Sequence, residues 1–121
     1  MTITERQALV RSYLGKTVHI SIDRPIGYVH RKKQKTLVYP INYGYIPNVL
    51  GGDGEELDVY LMDVTEPLEQ YTGRIIGIVY RRNDVEDKLI MAPEGISHTA
   101  EESADTIRFQ EQYYDTYLET L

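Results

Sequence analysis

The stretch YPINYGYIPNVLGGDGEELDVYLM, residues 39–62, decides the fold. It opens on Tyr39, Tyr43 and Tyr45, broken by the turn residues Pro40 and Gly44. Gly51-Gly52-Asp53-Gly54 then requires a tight turn, because glycine supplies the backbone conformations that other residues resist. From Leu57 to Met62 the chain reads as a strand, with Leu57, Val59 and Leu61 sharing one face. Short strands separated by Gly and Pro point to a small antiparallel barrel or curved sheet.

Outward from this stretch the pattern continues. Thr4-Glu5-Arg6-Gln7 reads as a capping box preceded by Ile3, and Leu9, Val10, Tyr13 and Leu14 form an apolar stripe that Gly15 stops. A helix is expected over roughly residues 5–14. Val18, Ile20 and Ile22 alternate with polar residues, which is the period of a half-buried strand, and Pro25 ends it. Residues 24–36 read as a loop or an edge hairpin, and Leu37-Val38-Tyr39 as a short strand. Downstream, Arg74–Tyr80 and Lys88–Ala92 are strands joined by a polar turn. Thr99-Ala100-Glu101-Glu102 is a second capping box, and a helix is expected from about 100 to 117. No internal repeat or linker interrupts this order, so residues 1–121 are expected to form a single domain.

The bulk composition narrows the function classes. Of the 121 residues, 41% are apolar and 26% charged, which is ordinary for a globular domain. There is no cysteine, so neither a disulfide framework nor a thiolate metal site is available. The opening MTITERQALVRSYLGK lacks an apolar run flanked by basic residues, and no stretch approaches the ~20 apolar residues of a membrane span. A cytoplasmic protein without membrane attachment is expected. The net charge of −6 argues against a nucleic-acid partner. The local basic run Arg31–Lys35 is either a solvated loop or an anion-binding loop.

Two acidic turns carry the chemistry. Asp53-Gly54-Glu55-Glu56-Leu57-Asp58 holds four carboxylates in six residues, and the turn can aim Asp53, Glu55 and Asp58 at one point. Crowded carboxylates repel one another unless a cation neutralises them. Oxygen donors without Cys or a nearby His select Mg²⁺, Mn²⁺ or Ca²⁺ over zinc. Asn83-Asp84-Val85-Glu86-Asp87-Lys88 is a second acidic turn between apolar strands. If both turns border one cavity, their carboxylates can hold hard metal ions that polarise phosphoryl oxygens and activate water. The competing reading of each turn is an ordinary charged hairpin. The tyrosines of residues 39–45, with Asn42, either line a wet pocket or belong to the core. His19, His30 and His98 have no metal-site spacing and are expected in surface or structural roles.

Together these segments resemble the soluble, magnesium-dependent inorganic pyrophosphatases over about residues 17–115. That family carries Tyr-Pro-x-Asn-Tyr-Gly-[Tyr/Phe]-Ile, a short spacer, and Asp-Gly-Asp-Pro-x-Asp-Val. The corresponding segments here are Tyr39–Ile46 and Asp53-Gly54-Glu55-Glu56-Leu57-Asp58-Val59. Asp84 and Asp87-Lys88-Leu89 resemble the second acidic loop, which is shorter here, so that Glu86 competes with Asp87 for its second position. Phe109–Tyr114 resembles the helix whose Tyr-Lys pair touches phosphate. The resemblance implies a mainly β, α+β fold: a five-stranded OB-like antiparallel barrel with N- and C-terminal helices. It implies Mg²⁺ on Asp53, Glu55, Asp58, Asp84 and Asp87, and phosphate contacts from Tyr43, Lys88 and Tyr113. Glu55 would orient or deprotonate the attacking water, with Asp58 and Tyr43 beside it in the catalytic group.

The same comparison shows losses. Ser21 stands where the family has a metal-site glutamate, and Gly27 where it has a phosphate-binding lysine. The segment bearing a phosphate-binding arginine is deleted between Lys35 and Tyr39, and Tyr114 replaces the lysine of the Tyr-Lys pair. Arg31, Lys32, Lys33, Arg81 and Arg82 are the cations available as substitutes. The expected activity is Mg²⁺-dependent hydrolysis of pyrophosphate to two phosphates by metal-activated water. The alternative is a non-catalytic or altered-substrate domain that keeps the metal ligands without the cationic clamp. The tyrosine-rich C-terminal arc either mediates self-association into a homo-oligomer or packs on the barrel.

Overall fold

The computed structural model describes all residues from Met1 to Leu121. A short helix, α1 (Ile3–Arg11), precedes β1 (Thr17–Arg24), the hairpin β2 (Val29–Lys32) and β3 (Lys35–Val38), β4 (Asn42–Leu50) and β5 (Glu56–Leu61). The long strand β6 (Gln70–Arg81), β7 (Lys88–Ala92), helix α2 (Ala100–Glu111) and β8 (Thr116–Thr120) complete the chain. The strands run in the order β1-β4-β5-β7-β6, and β1 pairs again with β6, which closes a five-stranded barrel. The barrel is not wholly antiparallel: β5 and β7 pair in parallel, Val59 beside Leu89. The two strands are joined through β6, which runs antiparallel to β7, so the chain returns in the direction of β5.

Alternation along β5 sorts its side chains as its sequence demands. Leu57, Val59 and Leu61 point into the barrel with Ile20, Ile75, Ile78, Leu89 and Met91. Each such fully buried side chain contributes about 1.5–3 kcal/mol. The other face carries Asp58, Tyr60 and Met62, and Tyr60 and Met62 pack with Tyr39, Tyr43, Ile76, Ile90 and Ile107 beneath α2. The β5–β7 register sets Val59 against Leu89, and so brings Asp58 and Lys88 side by side on this outer face.

The helix ends differ from expectation, and β6 begins at Gln70, four residues before the expected Arg74. The first capping box is Thr2 with Glu5, not Thr4 with Gln7. Glu5 donates its N–H to the Thr2 hydroxyl and its carboxylate accepts the Thr2 N–H, at 3.1 and 2.9 Å. The second box, Thr99 with Glu102, is as expected. Helix α2 ends at Glu111 instead of 117, because Thr116–Thr120 pairs with the free half of β6, Arg81 beside Thr116 and Gly77 beside Thr120. Tyr117 therefore lies on a strand, stacked on Tyr80 at 4.8 Å. Phe109 of the same arc packs against the outer core, and Tyr113 and Tyr117 remain exposed.

Gly52 fixes how the two acidic turns meet. A Cβ at this position would lie 2.1 Å from the Val85 carbonyl oxygen and 2.8 Å from Arg6 Cδ. Only glycine lets the first turn press directly on the second.

Candidate active site

A pocket of about 730 Å³ opens on the outer face of the barrel. Its floor holds Tyr43 from β4, Asp58 from β5 and Lys88 from β7, with Glu86 and Arg81 beside them. The β2–β3 hairpin walls one side with His30, Lys32, Lys33 and Lys35, and Arg24 lies at its base. Gln110, Tyr113 and Tyr114, at the C-terminal end of α2 and just beyond it, wall the other.

Lys88 is the centre of the floor. Its ammonium donates to Asp58 at 2.8 Å and to Glu86 at 3.1 Å, and it is only 2% exposed. Burial alone would favour the neutral amine, but Tyr43, Asp58 and Glu86 outweigh it and hold Lys88 protonated, with its pKa above the ordinary lysine range. Burial pushes the Glu86 carboxyl up to about 7, against the pull of Lys88, and the neighbouring Asp53 pushes the same way. For Asp53, partial burial pushes the pKa up, but polar contacts, the Glu55 N–H at 3.0 Å among them, outweigh it and hold the pKa low. Burial likewise raises the Tyr43 phenol, so this hydroxyl keeps its proton and remains a donor.

Arg81 organises the second acidic turn. It is 1% exposed, donates to Glu111 at 3.0 Å through Nε, and reaches Asp84 at 2.9 Å and Glu86 at 3.3 Å through Nη1. Tyr114 packs on its guanidinium, ring centre to Cζ 3.6 Å. From α1, Arg6 pins the same turn: it donates to Asp87 at 2.9 and 3.2 Å and to the carbonyls of Asp84 and Arg81 at 2.8 Å each.

The expected site residues divide accordingly. Asp58, Tyr43, Lys88 and Tyr113 line the pocket, whereas Asp53 is exposed and lies outside its wall. Asp84 stands behind Arg81. Asp87 does not face the pocket. Its carboxylate is buried between Arg6 and the Arg81 N–H, so Glu86 takes the place open to both. Glu55 is exposed and lies outside the pocket wall, contributing its N–H to Asp53 at 3.0 Å. Asn42, fully buried, braces loops: it accepts from the Ile26 N–H and donates to the Glu66 carbonyl. Tyr39 is a core residue whose hydroxyl accepts from Arg24 at 2.6 Å and donates to Gln110. His19 is exposed beside Thr72 and Gln70, and His98 pairs with Asp63 at 2.6 Å, both away from the pocket. His30, expected in a surface or structural role, lines the pocket.

Most of the lining cations were foreseen; Arg24 was not. Lys32 and Lys33, already named as available cations, and Lys35 of the same basic run line the pocket. Arg24 gave no sequence signal, because its position depends on Tyr28, Tyr39 and Tyr43, whose ring centres stand 5.5–5.7 Å from its Cζ.

Comparison with known proteins adds a decisive observation: the family model described as inorganic pyrophosphatase matches residues 14–119. The chain belongs to the inorganic pyrophosphatase family. A pyrophosphatase of Xylella fastidiosa is 32% identical over 98 residues, covering 69% of this chain and 53% of that protein. "Inorganic pyrophosphatase 2" of Pseudomonas syringae pv. tomato is 32% identical over 82 residues, covering 63% and 45%. The chain thus spans about half the length of these curated relatives. The fold is also that of solved pyrophosphatases. The Ehrlichia chaffeensis enzyme superposes with a TM-score of 0.66 at 17% identity, covering 88% of this chain and 87% of the other. The Coxiella burnetii protein gives 0.60 at 20% identity, covering 88% and 84%.

The donor set of this family member suits a hard divalent ion. Asp58 and Glu86, which meet on Lys88, are oxygen donors with no Cys or His between them. As folded, no group of three His, Cys, Asp or Glu side chains is arranged to hold an ion. Lys88 stands between Asp58 and Glu86, so an ion placed there requires its ammonium to move toward the open pocket.

Proposed function

We propose that the chain hydrolyses pyrophosphate to two phosphates in the cytoplasm, with Mg²⁺ held by Asp53, Asp58 and Glu86. The observation that carries this is the meeting of Asp58 and Glu86 on Lys88 within a pocket otherwise rich in cations. Held by these carboxylates, a divalent ion would supply Lewis-acid chemistry, activating water and polarising phosphoryl oxygens. The chain's own groups do the rest. Lys88, released from its carboxylates, binds a phosphate oxygen. Tyr43, with its proton retained by burial, donates to another. Asp58 orients the attacking water in place of Glu55, which is not on the pocket wall. Tyr113 lies at the rim, where it can contact a phosphate. Asp84 and Asp87 act indirectly, through Arg81 and Arg6.

The alternative of a domain without a cationic clamp is weakened by Arg24, Lys32, Lys33 and Lys35 in the same pocket. The test is phosphate release from pyrophosphate with and without Mg²⁺. Turnover that requires the metal supports the proposal. Absence of turnover by the folded wild-type protein at any Mg²⁺ concentration overturns it.

A further inference from the structure

The charges in the pocket do not balance. Lys88 is matched by Asp58 and Glu86, and Arg81 by Glu111 and Asp84. Arg24, Lys32, Lys33 and Lys35 line the same cavity, and none of them forms an ion pair with any carboxylate of the chain. Arg24 is half-buried and held from three sides by aromatic rings, with Tyr39 accepting its Nη1 proton at 2.6 Å. Tyr39 is fixed in turn by Gln110 of α2. Lys35 rests over the Tyr113 ring at 3.9 Å, which steers its ammonium to the pocket side. Arginine and lysine positioned in this way, without a counter-charge, form a prepared anion site.

The size of the cavity points to the kind of anion. At about 730 Å³ and open to solvent, the pocket has room for an anion longer than two phosphates. Arg24 and the hairpin lysines belong to different elements, so one anion can span both.

We propose that Arg24, Lys32, Lys33 and Lys35 form a second phosphate subsite, and that the pocket binds linear polyphosphates of three or more phosphoryl groups more tightly than pyrophosphate. One end of the chain lies against Arg24 and Tyr43, and the remainder lies along the hairpin. This binding needs no divalent ion, and so it stands apart from the hydrolytic reading.

The test is calorimetric titration of the full chain with tripolyphosphate and with pyrophosphate, in chelator and at fixed ionic strength. Arg31→Ala is the control: it removes one positive charge from the same hairpin at a residue outside the pocket wall. Wild type is expected to bind tripolyphosphate at least about tenfold more tightly than pyrophosphate, as one or more extra charge-assisted contacts imply. The double variant Lys32→Ala/Lys35→Ala is expected to lose that preference, and Arg31→Ala to keep it. Both lysines are exposed, so folding is not at stake, and unchanged melting temperatures verify this. Equal affinity of wild type for the two anions overturns the proposal. So does retention of the preference in the double variant, or its loss in Arg31→Ala. Failure of phosphate release with Mg²⁺, with the preference intact, would overturn the hydrolytic reading and leave this subsite standing.

Discussion

Replacing Arg6 with alanine tests how the second acidic turn is held. Arg6 is 8% exposed and makes four hydrogen bonds to the turn, two to the Asp87 carboxylate and two to backbone carbonyls. Its removal leaves Asp87, 2% exposed, with only the Arg81 N–H as partner, and leaves the Asp84 and Arg81 carbonyls short of a donor. Breaking one side of a buried pair typically costs about 3–5 kcal/mol, because the surviving charge remains buried. For a domain whose total stability is about 5–15 kcal/mol, that is a large fraction. Urea unfolding followed by circular dichroism gives the quantity directly: a fall in midpoint with an unchanged slope. Arg6→Met/Asp87→Asn, which removes both charges, is expected to cost less than Arg6→Ala alone. A loss below about 1 kcal/mol in Arg6→Ala would refute the reasoning, since it would mean that Asp87 is not dependent on its partner.

Three further outcomes are expected. Gly52→Ala drives a methyl group to 2.1 Å from the Val85 carbonyl, so the two acidic turns must separate; a loss of about 1–3 kcal/mol in urea unfolding is expected, and a neutral result would contradict the close contact. Hydrogen bonds from the Thr2 and Thr99 N–H groups hold the exposed Glu5 and Glu102 below their ordinary value of 4.5. A depressed folded-state pKa contributes stability that is present above the unfolded value and lost as pH falls through the folded one, so Glu5→Gln/Glu102→Gln should flatten the acid loss of stability, and parallel curves would exclude this. Mg²⁺ at about 100 times its dissociation constant should stabilise the wild-type protein by about 2.7 kcal/mol, seen as a raised melting temperature that Asp58→Ala abolishes; an equal rise in both would remove Asp58 from the metal site.

The barrel was legible because its signals are local. Alternation in Val18–Ile22 and Leu57–Leu61, and proline stops at Pro25 and Pro93, each act within a few residues. The end of α2 was not legible: Thr116–Thr120 becomes a strand only because β6 is long enough to offer it an unpaired edge. For the site, the acidic turns stood out by composition, and the β5–β7 register does bring Asp58 to Lys88. The choice between Glu86 and Asp87 lay beyond the sequence, because it is made by Arg6 from a helix about eighty positions away in the chain. Arg24 was hidden for the same reason, its place being set by rings that meet only in the folded state.

The account depends on the carboxylates around Lys88 acting together on a phosphoanhydride. Its most direct test compares the initial rate of phosphate release from pyrophosphate, at saturating Mg²⁺, for the wild-type protein and Asp58→Ala. The wild type is expected to turn over and the variant to be slower by about 10²-fold or more. Equal rates in the two proteins would contradict the assignment of this pocket as the reaction site.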